Sequence, residues 1–115
     1  MANILLVESY KNLASLYQTI LTDEGHHVLV VSDCEKAMEH ALTAKFELVI
    51  VDEGLPDRCE EELIRNLKKI QPHIKAIVCS LDEFTPTTYL HLCDEGFIKT
   101  YDYTILQEKI KRLAR

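Results

Sequence analysis

Five short runs of aliphatic and β-branched residues recur along the chain: NILLV at 3–7, HVLVV at 27–31, ELVIV at 47–51, KAIVC at 75–79 and the shorter GFIK at 96–99. Each has the length and composition of a strand. Between them the apolar positions change to a three-and-four spacing, which lines one face of a helix. Leu13, Leu16, Tyr17, Ile20 and Leu21 form one such stripe, and Ala37, Met38, Ala41 and Leu42 a second. Leu63, Ile64, Leu67 and Ile70 form a third, and Leu106, Ile110 and Leu113 the last. Boundary signals agree with this division. Gly25 is placed to end the first helix, Asp57 with Glu60 three positions on resembles a capping box, and Thr85-Pro86 supplies an N-cap and a first-turn proline for a further, fourth helix.

Strands alternating with helices predict an α/β fold: a five-stranded parallel sheet with helices on both faces, because parallel neighbours need crossover connections. The unbroken apolar runs of the first and third strands suit central positions, covered on both sides. With strand order 2-1-3-4-5, the order reverses between those two strands, and open parallel sheets bind ligands beyond the strand carboxyl ends at such a point. Glu8 ends the first strand and Asp52 the third. An acid at that rim meets solvent while the apolar residues before it hold its backbone. Two adjacent carboxylates repel and drive their pKa values apart unless a cation joins them. Mg2+, which takes one or two protein carboxylates with waters and phosphate oxygens, fits that requirement. The chemistry so indicated is phosphoryl transfer.

Composition narrows the classes further. The chain has 115 residues, 47% hydrophobic and 28% charged, which is the size and balance of one globular domain spanning 1–115. Such a length buries roughly two-thirds of the surface exposed on unfolding, so a core forms without disulfides or a structural metal. Cys34, Cys59, Cys79 and Cys93 have no CxxC spacing and read as reduced thiols. No signal segment or membrane span is evident, which places the expected location in the cytoplasm. A formal net charge of −6 disfavours direct nucleic-acid binding and suits a protein partner or a cation. His26 and His27 would point to opposite faces of a strand and do not chelate together. The cations of KIKRLAR at the end sit where a helix dipole favours them.

ILLVES ending in an acid, LVIVDEGLP with aspartate four residues before proline, AIVCS ending in a hydroxyl, and GFIKT near the end stand in a fixed order. Together they resemble the receiver domain of response regulators, the phospho-accepting module of two-component signalling, over essentially the whole chain. The resemblance implies a CheY-like, flavodoxin-like fold and a signalling domain whose only catalysis is its own phosphotransfer and dephosphorylation. It implies that Asp52 accepts the phosphoryl group from a sensor histidine kinase, phosphotransfer protein or small phosphodonor. It further implies Mg2+ held by Glu8, Asp52 and the Gly54 backbone carbonyl, with Ser80 and Phe97 following the phosphoryl group. The responding surface would be the face of the fourth helix, fifth strand and fifth helix, which would engage a downstream protein, an output domain or a second copy in a homodimer.

Two departures from the family pattern change the expectations. The family has an acidic pair where this chain has Glu8-Ser9, and a hydroxyl binds Mg2+ less strongly than a carboxylate, so cation affinity should be weak. Ser9 serves either as a further metal ligand or as the N-cap of the first helix. The family lysine three residues after the aromatic corresponds to Thr100, while Lys99 falls one residue early and, by strand alternation, on the opposite face unless a bulge restores it. Ser80 and Phe97 also have plain structural roles, in satisfying backbone groups and in core packing. The alternative function is a degenerate receiver that binds a partner without phosphorylation. An aspartate-nucleophile phosphohydrolase would need an acid at Gly54, and a flavin binder would need a hydroxyl-rich loop after the first strand; neither is present.

Overall fold

The computed structural model describes residues 2–80, 92–98 and 104–113, with 57 and 96–98 described by their backbone alone. Strands β1 (Asn3–Val7), β2 (His27–Val31), β3 (Leu48–Asp52), β4 (Lys75–Ser80) and β5 (Glu95–Ile98) form one sheet in the order β2-β1-β3-β4-β5. All neighbouring pairs are parallel. Helices α1 (Lys11–Asp23), α2 (Cys34–Ala41), α3 (Glu60–Ile70) and α4 (Thr104–Leu113) cover it. The expected helix at Thr85-Pro86 lies outside the described residues.

Alternation along the strands divides the interior into two layers. Leu5, Val7, Val49, Val51, Ala76 and Val78 pack with Ala37, Ala41, Leu63, Ile64 and Leu67 of α2 and α3. Ile4, Leu6, Leu48, Ile50, Ile77 and Cys79 pack with Tyr17 and Leu21 of α1 and with Leu106 and Ile110 of α4. Successive strand residues point to opposite faces, so β1 and β3 must be apolar throughout, as their sequences are. β2, at the edge, is only partly buried.

The helical stripes are narrower than the spacing predicts. In α1 the buried residues are Ala14, Tyr17 and Leu21, while Leu16 is exposed. Leu42 and Ile70 are exposed as well, because α2 ends at Ala41 and Ile70 is the last residue of α3. Gly25 does end α1: at φ 94° it allows Gly25 N–H to donate to Thr22 O and His26 N–H to donate to Leu21 O. That paired arrangement satisfies carbonyls the helix would leave open. At α2, Asp33 is the N-cap and its carboxylate accepts the Lys36 N–H at 2.8 Å.

Two further expectations are corrected here. α3 does not start at Asp57. Residues Pro56–Arg58 form a 3-10 turn, Arg58 takes φ 49°, and Cys59 is the N-cap without a side-chain cap bond. The left-handed backbone at Arg58 turns the chain, so the helix begins only at Glu60. Nor are all four cysteines free: Cys34 at the start of α2 is disulfide-bonded to Cys59, with 6.4 Å between their Cα atoms. Packing of α2 against α3 brings together cysteines 25 residues apart, a proximity that spacing alone does not reveal. Cys79 and Cys93 are not disulfide-bonded, as expected, and burial pushes the Cys93 thiol up to about 11.

Candidate functional site

The register of β1 and β3 sets the site. Val7 pairs with Val51, so Glu8 and Asp52 follow at the same level on neighbouring central strands. Both backbones are tied into the sheet: Glu8 N–H donates to Val31 O at 3.0 Å, and Asp52 pairs with Cys79 while Glu53 N–H donates to Cys79 O at 2.9 Å. The two acids are therefore held by four strands, β2, β1, β3 and β4, and sit at the reversal of strand order. One expectation needs correction: these acids do not lie open to solvent. Glu8 is 2% exposed and Asp52 4%, because the loops after β1 and β3 fold over the strand ends.

Around them, Glu8 Oε2 accepts the Tyr10 N–H at 3.3 Å. Tyr10, not Ser9, is the N-cap of α1, so the capping reading of Ser9 is set aside. Ser9 is half-buried beside Glu8. A cleft of about 420 Å³ next to these two residues is lined also by Lys11, Lys36 and His40 and stops short of Asp52. The loop after Asp52 runs close to its carboxylate. A methyl group added at Gly54 would lie 3.4 Å from Asp52 Oδ2 and 4.0 Å from Oδ1. Gly54 thus keeps the backbone beside Asp52 uncovered. Ser80 ends β4 one residue past Cys79, the partner of Asp52, and is half-buried. Phe97 pairs through its backbone with Cys79, which puts β5 beside the same end of the sheet; its side chain is outside the described residues. Lys99 and Thr100 lie outside them too.

A third buried acid is present that the sequence reading used only as a helix-start signal. Glu60 is 5% exposed, and its Oε1 is buried without a hydrogen-bond partner. Burial raises the Glu60 carboxyl to about 7; its own N–H opposes this, the charges of Asp52 and Glu53 add to it, and the Leu55 N–H opposes it again. Its run of neighbours, Glu60-Glu61-Glu62, looks like an ordinary acidic first turn of a helix. Only the fold over the loop shows that the first of the three turns inward.

The donors present fit a hard divalent cation. Burial and like-charge repulsion both disfavour two carboxylates at this point, and a divalent cation relieves both. Among the described residues no three acid, histidine or cysteine side chains converge as a closed metal cage. Mg2+ does not require one, since it commonly completes an octahedron with waters, main-chain oxygen and phosphate.

Over residues 4–108 the chain matches the family described as response regulator receiver domain. Among curated proteins it is 28% identical, over 117 aligned positions, to response regulator ArlR of Staphylococcus epidermidis and to that of Staphylococcus aureus. All of this chain aligns with 53% of each, so it spans about half the length of these relatives. Response regulator TrrA from Thermotoga maritima, solved in complex with Mg2+ and BeF, superimposes with a TM-score of 0.90 at 24% identity, covering 98% of this chain and 99% of that one. The structure of histidine kinase ThkA in complex with TrrA gives a TM-score of 0.89 at 24% identity, covering 98% of each chain. These structures share the fold, and the family match extends through every strand from β1 to β5 and into α4. The chain belongs to the response regulator receiver domain family, as a receiver domain of two-component signalling.

Proposed function

We propose that Asp52 is the phosphoacceptor of this receiver domain, with Mg2+ held by Glu8, Asp52 and the Gly54 carbonyl, and Ser9 as a further oxygen donor. One observation carries the reading: Glu8 and Asp52 stand buried at the adjoining ends of β1 and β3, where the strand order reverses. In the transfer, an Asp52 carboxylate oxygen forms a bond to phosphorus as the bond from phosphorus to the donor's imidazole nitrogen, or to a small donor's leaving oxygen, breaks. The bonding electrons leave with the donor. When bound, Mg2+ neutralises charge gathering on the phosphoryl oxygens. The chain's own part is to hold Asp52 rigidly through the β3 ladder and, with no side chain at Gly54, to keep the space beside its carboxylate unfilled.

The added group brings roughly −1.5 to −2 charge to a site already acidic, which supplies differential energy for a conformational response. In this reading Ser80 donates its hydroxyl to that group, and Phe97 with Lys99 or Thr100 relays the change to the surface around β5 and α4. A histidine kinase or phosphotransfer protein is the donor this reading calls for, in keeping with the kinase complex of TrrA. A downstream protein, an output domain or a second copy would read the altered surface. With Ser9 in place of an acid, the Glu8-Ser9 pair alone would hold Mg2+ weakly.

Incubation with acetyl phosphate or phosphoramidate and Mg2+, read by intact mass, tests the proposal. The native chain should gain one acid-stable, base-labile phosphoryl group, and Asp52→Ala should gain none. Equal labelling of the two proteins, or none in the native chain with any donor, overturns it.

A further inference from the structure

Glu60 is an acid in an expensive place. The N-terminus of α3 favours negative charge, but an exposed carboxylate would serve the dipole equally well, as Glu61 and Glu62 do at less burial. Instead the Glu60 carboxylate is buried beside the loop that follows Asp52, within electrostatic reach of the N–H of Leu55, the residue directly after Gly54. Its Oε1 is buried without a partner. A buried carboxylate oxygen left unpaired is costly, more so when charged. Asp52 and Glu53 act electrostatically on the same carboxylate, so the burial brings like charges together. A polar atom in this position has a use if something positive or hydrogen-donating arrives.

We propose that Glu60 is a third acid of the cation site, binding the water shell of the divalent ion through its unpartnered oxygen and making up for the acid that Ser9 replaces. The inference rests on the reading of Glu8, Asp52 and Gly54 as a Mg2+ site. Glu60 is a positioning residue in that site, not a direct ligand: its buried, unpartnered oxygen orients metal-bound water. Groups outside the direct ligands commonly change metal affinity when removed, because they fix the orientation and charge of the inner shell.

Cation affinity of the unphosphorylated chain tests this without reference to phosphotransfer. Mg2+ is titrated by calorimetry, and Mn2+ by loss of its free-ion paramagnetic resonance signal, at pH 8 on four proteins: native, Glu60→Gln, Glu62→Gln and Asp52→Asn. Glu60→Gln keeps the shape, removes the charge and should weaken both ions about tenfold. Glu62→Gln removes the same formal charge from the exposed side of α3 and should leave affinity within about twofold, a bound set by solvent screening of an exposed charge. If Asp52→Asn abolishes binding while Glu60→Gln matches native, the cation site stands and the role of Glu60 is overturned. If the native chain binds neither ion, the site reading itself falls and this inference with it. Thermal melting of each variant establishes that it is folded. Were Glu60→Gln unfolded, Glu60→Asp, which keeps the charge and shortens the reach, takes its place with the same tenfold expectation.

Discussion

Glu60 and Asp94 show how two carboxylates in one small domain respond in opposite directions. Burial raises Asp94, but the Lys68 hydrogen bond at 2.9 Å, the Ala76 N–H at 2.8 Å and the charges of Lys68 and Lys75 outweigh it and hold the group below the usual range. Glu60 is raised to about 7 because burial, with Asp52 and Glu53, outweighs its two backbone donors. For an acid raised on folding, the native state prefers the proton. Stability from this source is full below the usual value of 4.5 and is lost as pH rises toward about 7. Glu60→Gln removes the titration. Urea unfolding without divalent cation should therefore find the variant more stable than native at pH 8 and lacking that advantage at pH 4; an advantage independent of pH would contradict the assignment. Mg2+ at pH 8 should narrow the gap by stabilising the native chain more than the variant.

At the scale of elements, the disulfide changes how the site loop is held. Cys59 lies between the 3-10 turn and α3, and its bond to Cys34 ties the start of α2 to the loop carrying Gly54, Leu55 and Glu60. Closing a 25-residue separation removes freedom from the unfolded chain that loop-closure entropy puts at about 3 kcal/mol. The paired variant Cys34→Ser/Cys59→Ser should lose stability of that order in urea unfolding. Alkylation of the denatured native chain without reductant should modify two cysteines, Cys79 and Cys93, and with reductant all four. Much of the element layout was legible beforehand. The five strands lie within a residue of their sequence runs, and Gly25 ends α1 where expected, because these features depend on local pattern and backbone conformation. The α3 start was not legible: Asp57 and Glu60 have capping spacing, but Arg58 in the left-handed region breaks the helix between them.

For the molecule as a whole, stability is concentrated where both layers meet the sheet. β1 and β3 are paired on both edges and almost wholly buried, whereas β2 is an edge strand with an exposed start and a partly buried middle. Local opening costs least where few buried contacts are lost. Amide hydrogen exchange should accordingly be slowest in β1 and β3 and measurably faster in β2; equal protection of the three strands would contradict this ordering. Rigid central strands are also what keep Glu8 and Asp52 in register. Among the described residues no helix is long and apolar enough to cross a membrane.

Taken alone, the order of residues determined the alternation of strands and helices, the parallel sheet and its order, and the arrival of Glu8 and Asp52 at one point. The alternation and the parallel sheet follow from periodicity, which records locally which side of each element faces the core, while the strand order and the meeting of the two acids follow from the fold type that this alternation indicates. Three matters were decided only in the folded chain: how deeply the two acids are buried, the joining of Cys34 to Cys59, and the inward turn of Glu60. Each depends on loops closing over strand ends and on helices distant in sequence coming into contact. No local pattern encodes such distances, because they are set by the packing of the whole.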